Sequence, residues 1–197
     1  MQKTWGAAVL AVVAGLAGMA GAEGMTRKGY EMPPYRVEAT DGAREIRSYG
    51  ARIVAEVTVR GERRAAVNTG FRLLAGYIFG ANAGGEKIAM TVPVDQADQG
   101  GGLWTVRFTM PSAFTAETLP APDDPRIALV PLPPARMVVE GFSGIPDSAG
   151  MEARASALAD WARAKGLTPE GGPVYSFYDA PWTPGPMRRN EVGFTLR

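Results

Sequence analysis

GYIFGANAGGEKIAMTVPV, residues 76–94, sets four glycines and a lysine within twelve residues. A phosphate-cradling loop has the pattern G-x-x-x-x-G-K-[ST], with a strand before it and a helix after it. Gly80 and Gly85 have that spacing, but Glu86 stands where the lysine is needed. The order is also reversed, because the run with helical spacing comes first. Phosphate is held by N–H groups at a helix N-terminus, and this loop meets the carbonyl end. The glycines therefore read as a helix-to-strand turn, with Gly80 as the helix stop.

Outward from this turn, the periodicity changes twice. Residues 63–79 contain no proline, and Val67, Phe71, Leu74 and Ile78 recur at i, i+4, i+7 and i+11, which predicts a helix. RIVAEVTV (52–59) alternates and is β-branched, so it reads as a strand. IRSY (46–49) and YRVEA (35–39) read as shorter strands. KIAMTVPV (87–94) and LWTVRFTM (103–110) read as two more, joined through DQGGG. Residues 116–126, rich in Pro and Asp, read as a connector.

The same order then returns. ARMVVEGF (135–142) echoes ARIVAEVT (51–58), residues 151–165 form a second helical run ending at Gly166, and VYSFYDAP (174–181) follows where KIAMTVPV did. VGFTLR (192–197) echoes VRFTM (106–110). The offset is 84 residues at Arg52/Arg136 and 86 at Val106/Val192. This pattern indicates an internal duplication of a strand–helix–strand–strand unit. One such unit is too small to bury its sheet alone. The two are expected to pack into a single antiparallel sheet or barrel with both helices outside, an α+β fold.

Composition narrows the chemistry. The chain has 197 residues, 46% hydrophobic, a net charge of +1, no Cys and no His. That suits one domain. Without Cys there are no disulfides, thiol nucleophiles or zinc–thiolate sites. Without His, a Ser-His-Asp triad is impossible. The charge is nearly balanced, so nothing in it suggests a nucleic-acid surface. At the N-terminus, Lys3, an apolar run over residues 5–19 and then Ala20-Gly21-Ala22 have the pattern of a secretory signal peptide spanning residues 1–22. Cleaved or kept as an anchor, it places the domain in the periplasm or outside the cell. Residues 23–34 read as a polar lead-in and 35–197 as the domain. No second membrane-spanning candidate follows.

Four ordered motifs carry a family resemblance. YIFGANAGGEKIAMTVPV resembles the signature of the SOUL haem-binding family, in which a helix ends in Y-x-x-G-x-N and leads into K-I-x-M-T-x-P-V. FTMPS (108–112), YDAPWTPGPMRRNEV (178–192) and RSYGARIVAEVTV (47–59) are similar to further motifs of that family. The resemblance covers residues 35–197. It implies a distorted antiparallel β-barrel with two flanking helices, and a non-catalytic binding protein for haem or another tetrapyrrole. It also implies a ligand in an apolar cleft along the first helix, near the last hairpin loop, residues 182–188. Some relatives ligate iron through a His, which this chain lacks. Where the haem-binding branch has basic residues for the propionates, this chain has Asn68, Gly76 and Thr183.

The residues support a cleft on their own terms. At 100° per residue, the first helix's apolar arc runs from Leu73 through Ala66, Tyr77, Gly70, Leu74, Val67, Ile78 and Phe71 to Ala75. That is roughly 200°, more than the ~100° needed to face one core. The surplus flank faces a ligand or a covering segment. Candidate contacts are Val67, Phe71, Leu74, Tyr77 and Ile78 on the helix, with Trp182 and Met187 on the loop. Arg63, Arg64, Arg72 and Arg188 are candidate carboxylate partners, since the guanidinium fork matches a carboxylate. Iron ligation would have to use Met or Tyr. Met90, Met110, Met137, Met151, Met187, Tyr77, Tyr175 and Tyr178 are available, and Met187 lies in the last loop. RRNE (188–191) reads as an ion-paired lock on the last strand or as an anion site. Two other readings stay open. Glu56 and Glu140 occupy equivalent places in the two units, and paired carboxylates suit a cationic amphipathic ligand or hydrolysis. The domain also suits a pure interaction module without a small ligand.

Overall fold

Strand and helix signals in the sequence become eleven strands and two α-helices in a computed structural model describing residues 25–197. The expected signal peptide, residues 1–22, lies outside the described residues, as do the first residues of the lead-in. In chain order the elements are β1 (Thr26–Arg27), β2 (Tyr30–Glu31), β3 (Tyr35–Asp41), β4 (Arg44–Tyr49), β5 (Arg52–Arg60), α1 (Arg63–Ile78), β6 (Val94–Asp98) and β7 (Leu103–Thr109). They continue with β8 (Ala128–Leu132), β9 (Ala135–Phe142), α2 (Ser148–Ala164), β10 (Pro169–Phe177) and β11 (Asn190–Leu196). No helix of the described residues is long and apolar enough to cross a membrane.

β1 and β2 form a small hairpin, and the other nine strands form one antiparallel sheet ordered β3-β4-β9-β11-β10-β6-β7-β5-β8. The order β9-β11-β10 mirrors β5-β7-β6 about the β10–β6 pair. The strand leading each unit is exchanged: β4 precedes β5 but pairs with β9, and β8 precedes β9 but pairs with β5. Only Gly50 and Ala51 separate β4 from β5, so those ends lie within about 11 Å. In a flat sheet, six strand spacings would hold them about 29 Å apart. The sheet must therefore be rolled. Its ladder still ends at β3 and β8, so the expected closed barrel is corrected to an open, rolled sheet.

α1 starts where Glu62 accepts a hydrogen bond from the Ala65 amide (3.2 Å). α2 starts at Ser148, earlier than the apolar spacing suggests, because Asp147 caps it through the Gly150 amide (2.7 Å). Two strand boundaries differ from expectation. Residues 87–93 are extended but lie outside the main ladder, and β6 begins only at Val94. Their hydrogen bonds go elsewhere: the Val92 amide donates to the Glu31 carbonyl (2.9 Å), Thr91 Oγ1 donates to the Thr109 carbonyl (2.6 Å), and Pro93 has no N–H. β8 was not foreseen; it lies just past the Pro-rich connector and carries Pro131 on a sheet edge, where proline is tolerated.

Both helices cover one face. Cross-strand registers place Ala55, Phe108, Val94 and Phe177 in one row, and Val57, Val106, Gln96, Tyr175, Val192 and Glu140 in the next, all on that face. α1 seals Leu74, Tyr77 and Ile78 against Ala55, Val57, Val106 and Phe108. α2 seals Met151, Leu158 and Ala162 against Val138, Val192 and Phe194.

Candidate functional site

α1 lies over β5 and β7, α2 lies over β9, β10 and β11, and β6 runs between them. One flank of α1 borders this gap. Arg63, Val67 and Phe71 follow at i, i+4 and i+8 along it. Arg63 Nη2 donates to Gln96 Oε1 (2.8 Å), and its guanidinium lies 5.7 Å from the Trp104 ring centre and 5.8 Å from that of Phe177. Burial lowers its pKa, and its Nε has no acceptor among the described residues. Phe71 is 38% exposed and packs edge-on to Phe108 at 5.4 Å.

The last loop leaves from the same end, because Phe177 shares the row of Phe108 and Val94. Trp182 is 85% exposed and Met187 65%. Arg188 holds the loop together: its Nε donates to the Thr183 carbonyl (2.7 Å) and its Nη2 to that of Pro181. Asp179, just ahead, accepts from Arg27 (3.0 Å), Lys28 (2.6 Å) and the Arg189 amide (2.7 Å). Burial would raise its pKa, but these donors bring it down to about 2.

The predicted residues therefore separate. Arg63, Val67 and Phe71 follow one flank of α1, and Trp182 and Met187 stand exposed on the last loop. Leu74, Tyr77 and Ile78 do not line the gap; all three are fully buried, and Tyr77 Oη donates to the Pro120 carbonyl (2.9 Å). The wide apolar arc has a structural cause: Phe114, Leu119 and Ile127, between β7 and β8, pack onto the core that α1 covers. Arg64 and Arg72 are exposed; Arg72 borders a shallow depression formed by α1 alone with Asn68, Thr69 and Phe71. Arg188 is engaged by its own loop. Met110 and Met151 are core residues and Met90 packs against the α1 core, which leaves Met187 as the exposed methionine among the described residues.

The opposite face holds what the sequence reading missed. Glu56, Arg107, Asp95, Ser176 and Glu191 form one cross-strand row there. Glu191 is buried and accepts from Arg47 Nη1 and Nη2 (2.9 and 3.0 Å), Tyr178 Oη (2.7 Å) and Arg189 Nη2 (2.6 Å). Burial opposes its charge, yet these partners hold its pKa below the usual value. RRNE is thus the ion-paired lock. Asp95 accepts from Ser176 Oγ (2.6 Å); burial pushes its pKa up to about 6 against the pull of Ser176, Arg52 and Arg107. Burial pushes Tyr49 up to about 12. These groups border a cavity of about 240 Å³ together with Tyr35, Met137 and Val139. The signal available was the strand alternation itself, which puts Asp95 and Glu191 on the face away from the helices.

The paired-carboxylate expectation fails here. Glu56 sits on this inner face, bound to Arg107 (2.5 Å), whereas Glu140 sits on the helical face, bound to Arg44 (2.7 Å) and Arg154 (3.3 Å). The register makes Val57, not Glu56, the counterpart of Glu140: each faces the matching valine, Val106 or Val192. A one-residue slip in aligning the two units exchanges faces. Among the described residues no cluster of three or more acidic side chains is placed to hold a metal ion.

Comparison with known proteins gives a consistent picture. A family model described as SOUL heme-binding protein matches residues 30–195. Mouse (Mus musculus) Heme-binding protein 2 is 32% identical over 110 residues, 53% of this chain and 54% of that protein. The chain thus matches about half the length of that curated relative. Two solved structures are similar in fold. The EcmrR C-terminal domain has a TM-score of 0.62 at 13% identity, covering 83% of this chain and 98% of that one. A hydrolase from Listeria innocua has a TM-score of 0.56 at 12% identity, covering 81% and 94%.

Proposed function

The chain belongs to the SOUL haem-binding protein family, and from that membership we propose that it is a non-catalytic binder of haem or another flat tetrapyrrole, held in the gap between α1 and the last loop. The observation that supports this reading is the exposure of three large apolar side chains, Phe71 on α1 and Trp182 and Met187 on the last loop. Burying them under a macrocycle is favourable at about 25 cal/mol per Å². The inner cavity, at about 240 Å³, is smaller than the about 300–1,000 Å³ of drug-sized pockets.

The residues fit a tetrapyrrole held by apolar burial. Val67 and Phe71 meet one edge, Trp182 and Met187 close over the other, and Arg63, Arg64 and Arg72 stand along α1 to meet carboxylates. Haem would add redox or sensing chemistry when bound. Tyr77 is sealed and its hydroxyl is engaged, so it is not free to ligate iron. We further propose that residues 1–22 direct the domain to the periplasm or outside the cell.

A Soret-band titration with haem and with protoporphyrin tests the reading. Saturable shifts with both, of similar affinity, are expected if burial dominates. No shift with either overturns it.

A further inference from the structure

A second feature surrounds the last loop. The β9–α2 connection presses against it: the Gly144 amide donates to the Gly185 carbonyl (2.9 Å) and Asn190 Nδ2 donates to the Gly144 carbonyl (3.0 Å). Ile145, in that connection, is 70% exposed and adjoins Gly185. Ile145, Trp182 and Met187 therefore project from one pair of linked loops. Buried apolar atoms stabilise a fold, so large residues left outside in one cluster point to an outside occupant.

The charges at this end identify it. Asp179 and Glu191 are buried, while their partners Arg27, Lys28 and Arg189 reach solvent with side-chain exposures of 25%, 53% and 30%. The acids face inward and the cations outward. An apolar tip with Trp, with these basic side chains on adjoining segments, matches the headgroup region of an anionic bilayer. The chain's path agrees. Met25 packs with Met32, Val92 and Tyr178, and the Met32 amide donates to the Met25 carbonyl (2.7 Å). The polypeptide thus enters the fold at this same end, a few residues after the apolar run of residues 5–19.

We infer that the tip formed by Ile145, Trp182 and Met187 is a membrane-docking surface that inserts into the interface of an anionic bilayer. It shares its loop with the proposed ligand groove, so a flat amphiphile dissolved in the lipid would reach the groove directly.

The test uses the full-length chain carrying Trp5→Phe, which silences the tryptophan of the N-terminal run. Vesicles are phosphatidylcholine with and without phosphatidylglycerol, with brominated acyl chains as quencher. The Trp182 emission should shift to the blue and be quenched, more with phosphatidylglycerol than without and less at high salt. Trp182→Phe should abolish the quenched component. Ile145→Ser should reduce quenching roughly threefold or more and leave the haem titration unchanged, because Ile145 lies outside the groove. Circular dichroism confirms that this exposed-site variant is folded. Emission indifferent to brominated lipid, or quenching unchanged by Ile145→Ser, overturns the inference. Loss of haem binding alone does not bear on it.

Discussion

Phe71 and Leu74 sit three residues apart on α1 and face different fates. Phe71 is 38% exposed, whereas Leu74 is fully buried beneath the helix. Phe71→Asp should leave the protein folded, at a cost of about 1 kcal/mol for the lost edge contact with Phe108, and weaken haem binding by about tenfold or more. Leu74→Asp should destabilise by on the order of 4 kcal/mol. Urea melts and Soret titrations of both variants distinguish the roles; equal haem binding by Phe71→Asp and the parent would remove the residue from the site. Asp95 makes a separate prediction. Its native pKa, raised to about 6 from 3.8, means that the native state holds the proton more tightly than the unfolded chain. Stability from this group is full below the unfolded value, falls as pH rises towards 6, and is level above it, a loss of up to about 3 kcal/mol. Glu191 and Asp179 are shifted downward, so they act at lower pH, outside this window. Asp95→Asn should remove the decline between about pH 4.5 and 6. Melts across that range would show it; an unchanged slope in the variant would refute the assignment.

At the scale of the element, α1 is placed by one glycine. A Cβ on Gly70 would lie 2.7 Å from Val106 Cγ2 and 3.3 Å from Val57 Cγ1. Both valines are buried and stiff at χ1, so neither yields easily. In an open helix, Gly→Ala gains about 1 kcal/mol. Here Gly70→Ala should instead destabilise, by about 1–3 kcal/mol, because the helix must lift from the sheet. A raised melting temperature for this variant would show that the packing tolerates it. The helices were legible in the sequence because their spacing and caps are local. Residues 87–93 misled for the opposite reason. They have strand composition, but whether they join the ladder depends on Glu31 and Thr109, distant in sequence.

Across the whole molecule, exchange of β4 and β8 between the two units makes neither unit complete. Residues 35–126 alone keep β3 beside β4 but lack β9, and residues 127–197 alone lack β5, the partner of β8. Each fragment is expected to show no cooperative melt by circular dichroism, and the two mixed should regain one. A cooperative transition in either fragment alone would contradict this. The helices and the family motifs were readable beforehand because periodicity and turn chemistry are properties of neighbouring residues. The face occupied by Glu140, the cover over Leu74, Tyr77 and Ile78, and the pairing of β4 with β9 were not readable. Sequence by itself determined the helices and the family motifs. Only tertiary structure decided which side chains remained exposed and which acids shared a face. Those outcomes follow from strand register and long-range packing, where a one-residue slip or a distant connector reverses the result.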